Sequence, residues 1–364
     1  MKKIGILTFQ NADNYGALLQ AYALKNVLSS LGGNPEILNY CCSKIEGEYR
    51  FFTRPQLSFK WLFLKTIKLL FLPLFLYRKS RFSDFRKQYL TDTATLYPET
   101  IAKIAAQYDA FVSGSDQVFN PRITGFDRNY FLAFNKENSK NYSYAASFGV
   151  ELKDLSEKEK TFIQQNVGHL KYLSVREQQG AEIIRSIHGR TAQVHLDPTL
   201  LLDLNQWRSL AVSPKYTKYV LLYLMHKDPQ LISFAKKLAQ AKGCQLLYIC
   251  SSMDIKNRVP VKHITPTPKE WLGLFLNAQY VVTNSFHGLA FSVNFNRDFF
   301  LGKLPPSWPT NSRLNNLLSL TGLQSRIYDN FIDNYDESID WMDVNARIGR
   351  ERQKAFAYLQ EIIK

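Results

Sequence analysis

The sequence predicts an α/β protein built from two Rossmann-like domains that face each other across a cleft. Short apolar runs alternate with helical segments along the chain, which is typical of parallel sheets covered on both faces. The pattern restarts after a turn-rich region near residues 203–218, and 364 residues are enough for two cores of ordinary size. Hydrophobic and charged contents of 45% and 21% are those of a globular protein.

The first half opens with a strand at residues 3–9, followed by a polar loop and a helix at 17–31. Asn14 is the expected N-cap of that helix, because a short polar side chain can accept hydrogen bonds from the first free amides. Apolar, β-branched and aromatic runs predict further strands at 35–40, 110–112, 142–148, 172–175 and 192–194.

The second half repeats this alternation. Apolar runs predict strands at 219–224, at 245–249 and just before His287. Helices are expected at 230–241, 269–277, 311–320 and 344–364. We therefore place an N-terminal domain at 1–205, a C-terminal domain at 206–343, and a last helix at 344–364 that packs back on the first domain.

A basic amphipathic insertion at about 55–90 departs from the pattern. Its centre, residues 58–82, is apolar and aromatic, and Lys60, Lys65 and Lys68 fall within one helical arc of roughly 140°. Pro73 and the lysines exclude a membrane-spanning helix. The segment predicts an interfacial helix on an anionic membrane. The alternative is an amphipathic helix buried against the protein or in a dimer.

The net charge of +15 predicts an anionic partner, such as a phosphorylated substrate or an acidic membrane surface. We expect no nucleic-acid partner, because no nucleic-acid-binding motif accompanies the charge. The four cysteines lack the spacing of a zinc site, and no signal peptide is evident. We therefore expect a cytoplasmic protein, peripheral at the inner membrane if 58–82 binds lipid, with neither metal nor cofactor.

Several familiar catalytic motifs are missing from the sequence. It contains no GxGxxG fingerprint, no GxxxxGK[ST] loop, no HExxH motif and no GxSxG elbow. These absences argue against dinucleotide redox chemistry, phosphate-loop ATP hydrolysis, zinc proteolysis and the usual serine hydrolases.

The most informative loop follows a predicted buried strand that ends with Val281 and Val282, and it contains Asn284, Ser285 and His287. Loops at the carboxyl ends of parallel strands are where α/β proteins bind ligands. Histidine exchanges protons most readily near neutral pH, and Gly288 lets the backbone bend close to a substrate. We therefore predict His287 as the catalytic residue; a histidine that only satisfies a turn is the alternative.

Polar residues follow other predicted strands. Arg176 offers a guanidinium suited to phosphate or carboxylate, unless it pairs with a neighbouring acid. In the loop of Ser115 and Asp116, small residues favour a ligand, and Asp116 either binds a sugar hydroxyl or caps the next helix. Arg313 is expected to form an anion site at the start of a helix. Asp197, before Pro198, predicts a turn without chemistry.

Six motifs together resemble the polysaccharide pyruvyl transferase family. They occur in order as NYGALLQAYAL at 14–24, GSDQVFN at 114–120, SYAASFG at 143–149, SVRE at 174–177, LDPTL at 196–200 and TNSFHG at 283–288. The resemblance implies a glycosyltransferase-B-like fold. It also implies transfer of pyruvate from phosphoenolpyruvate to two hydroxyls of a sugar, which forms a cyclic ketal in a bacterial surface polysaccharide or its lipid-linked precursor.

One position departs from the family. Some members carry arginine two residues before the motif histidine, where this chain has Ser285. An anion contact is then lost or supplied by Arg176, Lys303 or Arg313. With the resemblance, Asn14, Ser115, Asp116, Arg176, Asn284, Ser285 and Arg313 are the predicted substrate-binding residues.

Two other functions remain open at this level. The chain could be a glycosyltransferase that uses a nucleotide-sugar donor, since the same architecture serves both reactions. It could also be a non-catalytic, membrane-associated partner in polysaccharide assembly.

Overall fold

The computed structural model describes residues 1–48, 72–250, 261–305, 311–328 and 338–364. The first half contains six parallel strands: Lys3–Leu7 (β1), Asn34–Ile37 (β2), Ala110–Ser113 (β3), Asn141–Ser143 (β4), Ser174–Val175 (β5) and Gln193–Val194 (β6). The first four form a sheet in the order β2-β1-β3-β4. β5 and β6 pair with each other, and two single bridges join β5 to the chain at β4.

The second half contains a five-stranded parallel sheet in the order β11-β10-β7-β8-β9. Its strands are Tyr219–Leu224 (β7), Gln245–Cys250 (β8), Lys262–Ile264 (β9), Tyr280–Thr283 (β10) and Asp298–Leu301 (β11). The strand order reverses between β1 and β3 in the first sheet and between β7 and β10 in the second, although these paired strands are parallel. In open α/β sheets, ligands bind at the carboxyl ends of the strands beside such a reversal.

Twelve α-helices of the described ranges connect and cover these strands. They are Tyr15–Ser30 (α1), Ser43–Glu48 (α2), Leu72–Tyr89 (α3), Pro121–Thr124 (α4), Glu157–Val167 (α5), Gln178–His188 (α6), Leu204–Leu210 (α7), Pro229–Ala241 (α8), Pro268–Asn277 (α9), Phe286–Asn294 (α10), Asn311–Thr321 (α11) and Trp341–Ile363 (α12).

Local side chains explain where several helices begin. The Asn14 Oδ1 accepts hydrogen bonds from the amides of Gly16 and Ala17, so Asn14 caps α1 as predicted. Reciprocal capping boxes begin α5, α7 and α9. Each box satisfies amides that have no partner inside the helix, which stabilises the first turn.

The predicted α/β class, with two Rossmann-like domains facing a cleft, is confirmed. The bounds of β7 agree with the sequence prediction, and α8, α9 and α11 differ from it by one residue at an end. β4 is shorter than predicted, because Ala145 has a left-handed φ of 45° and turns the chain away after Ser143. The short strands β9 and β11 were not predicted.

The last helix contacts both halves of the chain. The Tyr358 hydroxyl donates a hydrogen bond of 2.8 Å to the Ser143 carbonyl, at the end of β4. The Arg352 guanidinium donates to the Leu200 carbonyl and to the Asn294 side chain, at 2.6 and 2.7 Å. These hydrogen bonds thus attach α12 to both halves of the chain. The domain boundaries at 205/206 and 343/344 remain predictions.

Most of the predicted membrane segment, residues 58–71, lies outside the described residues. Within α3, Arg78 and Phe82 are buried. The Arg78 guanidinium donates to the Asp13 carbonyl at 3.2 Å and lies 5.3 Å from the centre of the Phe82 ring. This end of the segment therefore packs inside the protein, as in the alternative above.

Membrane binding by the rest of residues 58–82 stays a prediction. In α3, Leu76 and Tyr77 are exposed. Across the described ranges, no helix combines the length and the apolar character needed to span a bilayer.

Candidate functional site

His287 lies between the carboxyl ends of the two sheets, where the strand order of each sheet reverses. β10 ends at Thr283, and the Ser285 hydroxyl caps α10 by accepting a hydrogen bond from the Gly288 amide at 3.3 Å. His287, the second residue of α10, is 8% exposed. Its ring lies against the start of α1: a Cβ placed on Gly16 would be 2.0 Å from the His287 Nδ1. A glycine at position 16 is therefore what allows this close approach.

Asp197 is the centre of a buried charged cluster beside His287. One of its carboxylate oxygens, Oδ2, accepts hydrogen bonds from the Ser115 hydroxyl and the Arg176 guanidinium, both at 2.8 Å. The other oxygen accepts from the amide and hydroxyl of Thr199, at 3.0 and 2.7 Å. The His287 Nε2 lies 3.9 Å from Oδ2. Loops that follow β3, β5, β6 and β10 thus converge on one carboxylate.

Three carboxylates surround Arg176, but they do not satisfy all of its guanidinium nitrogens. Beyond its bond to Asp197, its Nη2 lies 3.7 Å from an Asp116 oxygen and its Nε lies 3.9 Å from a Glu177 oxygen. Both of these nitrogens are buried and lack a hydrogen-bond partner among the described residues. The guanidinium lies 4.4 Å from the centre of the Phe286 ring, which holds it in place.

Arg313, in the first turn of α11, is a second buried arginine in the cluster. Its guanidinium lies 5.8 Å from the centre of the Phe286 ring that also contacts Arg176. Within the described ranges its Nε has no hydrogen-bond partner. A buried guanidinium nitrogen without a hydrogen-bond partner is costly, so the unpartnered nitrogens of these two arginines are suited to bind an anion.

The pKa values of the cluster follow from burial and from these charges. Burial lowers the pKa of His287, although Asp197 and Asp116 oppose this effect. Burial and the neighbouring Arg176 lower the pKa of Arg313 to about 10, so it remains a cation at neutral pH. Burial alone would raise the pKa of Asp197, but Arg176 and His287 bring it down to about 2. The resting site therefore combines a neutral histidine with charged arginines.

The other predicted residues differ in how they relate to this cluster. Ser115 belongs to it through Asp197, and Asp116 approaches Arg176 with a left-handed φ of 76°. The side-chain amide of Asn284 is already hydrogen-bonded. Its Oδ1 accepts from the Met225 backbone N–H and its Nδ2 donates to the His226 carbonyl, both at 2.8 Å. Asn14 is occupied in the same way as the cap of α1. As substrate ligands, these residues stay predictions.

The importance of Asp197 was not predicted from its sequence context. We predicted a turn former without chemistry, and Asp197 does begin the turn at 198–200 by accepting from Thr199. It is also the counterion that holds Arg176. Its position directly after a predicted strand was the available signal. Glu177, which accepts from the Ser147 hydroxyl at 2.9 Å, was considered only as a partner of Arg176.

A cavity of about 570 Å³ opens beside the cluster. Its walls include Arg176 and Asp197 from the first half, Arg313 and Asn316 from α11, and Glu351 from α12. The volume lies within the range of small-molecule binding sites. In the described part of the chain, no three His, Cys, Asp or Glu side chains are grouped closely enough to hold a metal ion.

A family model for polysaccharide pyruvyl transferases matches residues 14–301 of the chain. Among solved structures, the chain is similar to a UDP-GlcNAc 2-epimerase from Methanocaldococcus jannaschii, at 12% identity and a TM-score of 0.48, covering 96% of this chain and 92% of that chain. A UDP-GlcNAc 2-epimerase from Neisseria meningitidis is similar at 9% identity and a TM-score of 0.46, with coverage of 100% and 94%.

An α-glucosyltransferase in complex with UDP is also similar, at 9% identity and a TM-score of 0.47, covering 99% of this chain and 95% of that chain. No curated protein matches the sequence. The structural similarities are too distant to bear on activity.

Proposed function

The chain belongs to the polysaccharide pyruvyl transferase family, and we propose that it transfers pyruvate from phosphoenolpyruvate to two hydroxyls of a sugar, forming a cyclic ketal. The sugar is part of a surface polysaccharide or of its lipid-linked precursor. The observation that carries the proposal is the pair of buried arginines, Arg176 and Arg313, next to a buried histidine that burial keeps neutral.

The donor fits this pair because it carries a phosphate and a carboxylate. The unpartnered nitrogens of Arg176 and Arg313 supply fixed hydrogen-bond donors, and Asp197 and Phe286 hold the Arg176 guanidinium in position. Three carboxylates border Arg176, so Arg313 is the less neutralised of the two cations. We infer that Arg313 supplies the anion contact of the arginine that some relatives carry where this chain has Ser285.

The reaction needs one group that moves a proton. In the first step a sugar hydroxyl adds to C2 of the donor while the methylene carbon gains a proton. Because neutral His287 can accept a proton, we assign it the transfer of that proton from the hydroxyl to the methylene carbon. In the second step the bond between C2 and the phosphate oxygen breaks, the neighbouring hydroxyl adds to C2, and its proton leaves with the phosphate.

Replacing Arg313 with glutamine tests donor binding. We expect Arg313→Gln to weaken phosphoenolpyruvate binding by at least about tenfold, since a hydrogen bond to a charged group contributes about 1.5–3 kcal/mol. Calorimetry of the wild type and the variant measures this. Arg297→Gln is the control, because Arg297 lies in the turn before β11 and outside the cluster.

Two results would overturn the donor assignment. One is phosphoenolpyruvate binding that is equal in the wild type and in Arg313→Gln. The other is saturable binding of a nucleotide sugar in place of phosphoenolpyruvate, which would make the protein a glycosyltransferase.

The acid side of the pH profile tests the state of His287. Burial lowers the pKa of His287 from its ordinary value of 6.5, and its neutral form is the one that accepts the proton. We therefore expect kcat/KM to be constant near neutral pH and to fall only when the pH drops below 6.5. Phosphate release from phosphoenolpyruvate in the presence of acceptor measures this. A fall centred above 6.5 would contradict the assignment.

Replacing Gly16 with alanine tests the position of the His287 ring. The added methyl would come 2.0 Å from the His287 Nδ1, so the ring must shift. A displacement of about 1 Å can reduce turnover by about 100-fold, and we expect a loss of that size for Gly16→Ala. Gly349→Ala is the matched control in α12, because a methyl there meets nothing within 4 Å. Equal kcat values for the two variants would argue against a positioned His287.

A further inference from the structure

We propose that the part of the cavity next to the last helix binds the sugar acceptor, and that Glu351 and Lys354 of α12 contact the sugar hydroxyls. The inference rests on the proposed function, because it names the subsite of the second substrate. Both side chains line the cavity of about 570 Å³ that Arg176 and Asp197 also line. The same cavity is therefore bordered by Arg176 and Asp197 and by α12.

The cavity is lined by two kinds of polar side chain besides its apolar ones. Arg176 and Arg313 suit the anionic donor. Neutral amide and hydroxyl groups and one ion pair also line it, namely Gln178, Asn316, Ser319, Glu351 and Lys354. Such groups both donate and accept hydrogen bonds, as sugar hydroxyls do. The Glu351 carboxylate can accept hydrogen bonds from sugar hydroxyls, and the Lys354 ammonium can donate to them.

The position of α12 is fixed well enough for it to form a binding wall. Arg352, one residue after Glu351, donates to the Leu200 carbonyl at 2.6 Å. Tyr358 is buried and bonds the Ser143 carbonyl. Among the described residues, the Glu351 carboxylate pairs with Lys354 at 2.7 Å, and the Glu351 side chain is 20% exposed. Its carboxylate is therefore held at the cavity while one oxygen remains available to a ligand.

This wall lies outside the family match. Residues 14–301 match the family model, and they include Arg176, Asp197 and His287. Asn316, Glu351 and Lys354 follow residue 301 in this chain. The groups assigned to donor binding and proton transfer thus lie mostly within the matched region. Glu351 and Lys354 are therefore not among the residues that the family model matches.

The test compares two Glu–Lys pairs on the same helix. Glu351→Gln removes the charge at the cavity, whereas Glu361→Gln removes the charge of a second pair, Glu361 with Lys364, which is also spaced by three residues and 2.7 Å apart. The probes are methyl hexopyranosides and reducing-end-blocked oligosaccharides with free vicinal or 4,6-hydroxyls. Their binding is measured by saturation-transfer NMR, with phosphoenolpyruvate binding measured separately by calorimetry.

We expect Glu351→Gln to weaken binding of the best sugar probe by about tenfold or more, since it removes a charged hydrogen-bond acceptor. Phosphoenolpyruvate affinity should not change, and Glu361→Gln should behave as the wild type. Equal sugar binding by Glu351→Gln and the wild type would overturn the proposal, and so would a wild type that binds none of the sugars. If the sugar result holds while phosphoenolpyruvate fails to bind, the acceptor subsite stands and the donor assignment falls.

Discussion

His287→Ala is expected to reduce turnover by about 10²- to 10⁴-fold while leaving the fold and donor affinity intact. General acid–base catalysis contributes a factor of this size, and His287 is the histidine at the buried meeting point of α1, α10 and Asp197. Its Nε2 is buried and has no hydrogen-bond partner among the described residues. The measurement is phosphate release from phosphoenolpyruvate in the presence of acceptor.

Two controls separate catalysis from stability in this experiment. Thermal unfolding of His287→Ala should resemble that of the wild type, and calorimetry should give a similar affinity for phosphoenolpyruvate. His188→Ala, at the end of α6, removes a histidine outside the cluster and should keep full activity. Normal turnover by His287→Ala would remove His287 from the mechanism.

Asp197→Ala is expected to lower the free energy of unfolding by about 3–5 kcal/mol, because it leaves the buried Arg176 without its closest counterion. The Ser115 hydroxyl and the Thr199 amide also lose their acceptor. Chemical denaturation of the purified variant measures this loss. We expect activity to fall as well, since Arg176 would no longer be held in position.

The exposed pair of Asp343 and Arg347 provides the matched control. Its atoms are also close, at 2.7 Å, but the side chains are 48% and 40% exposed. Asp343→Ala should therefore cost no more than about 1 kcal/mol. The double variant Arg176→Met with Asp197→Leu should lose less stability than the sum of the single changes, since no buried charge is left unpaired. A cost below about 1 kcal/mol for Asp197→Ala would show that the ion pair is not stabilising.

The same ion pair sets a pH window for stability. Arg176 and His287 lower the pKa of Asp197 from 3.8 to about 2 in the folded protein, against the effect of burial. The folded state therefore holds this proton less readily than the unfolded chain. The stabilisation is present above pH 3.8 and is lost as the pH falls toward 2.

The sequence was sufficient for the class of fold and for the places where chemistry could occur. A strand that is buried on both faces consists of consecutive apolar residues. Such apolar runs therefore located β7 and its neighbours in the sequence. The loops after the strands identified Arg176 and His287, because parallel strands present their carboxyl ends at one edge. The net charge of the chain did not predict the charges within the cluster, because three carboxylates surround Arg176 there.

By itself, the sequence determined the two alternating halves and the family, and it predicted a catalytic histidine just after β10. Only the tertiary structure decided that Asp197 pairs with Arg176, 21 residues away, and with Ser115, 82 residues away. It also decided that Gly16 makes room for His287 and that α12 forms a wall of the cavity. The physical reason is range: capping and periodicity act over a few residues, whereas buried charges are paired by the docking of distant elements, which local sequence does not specify.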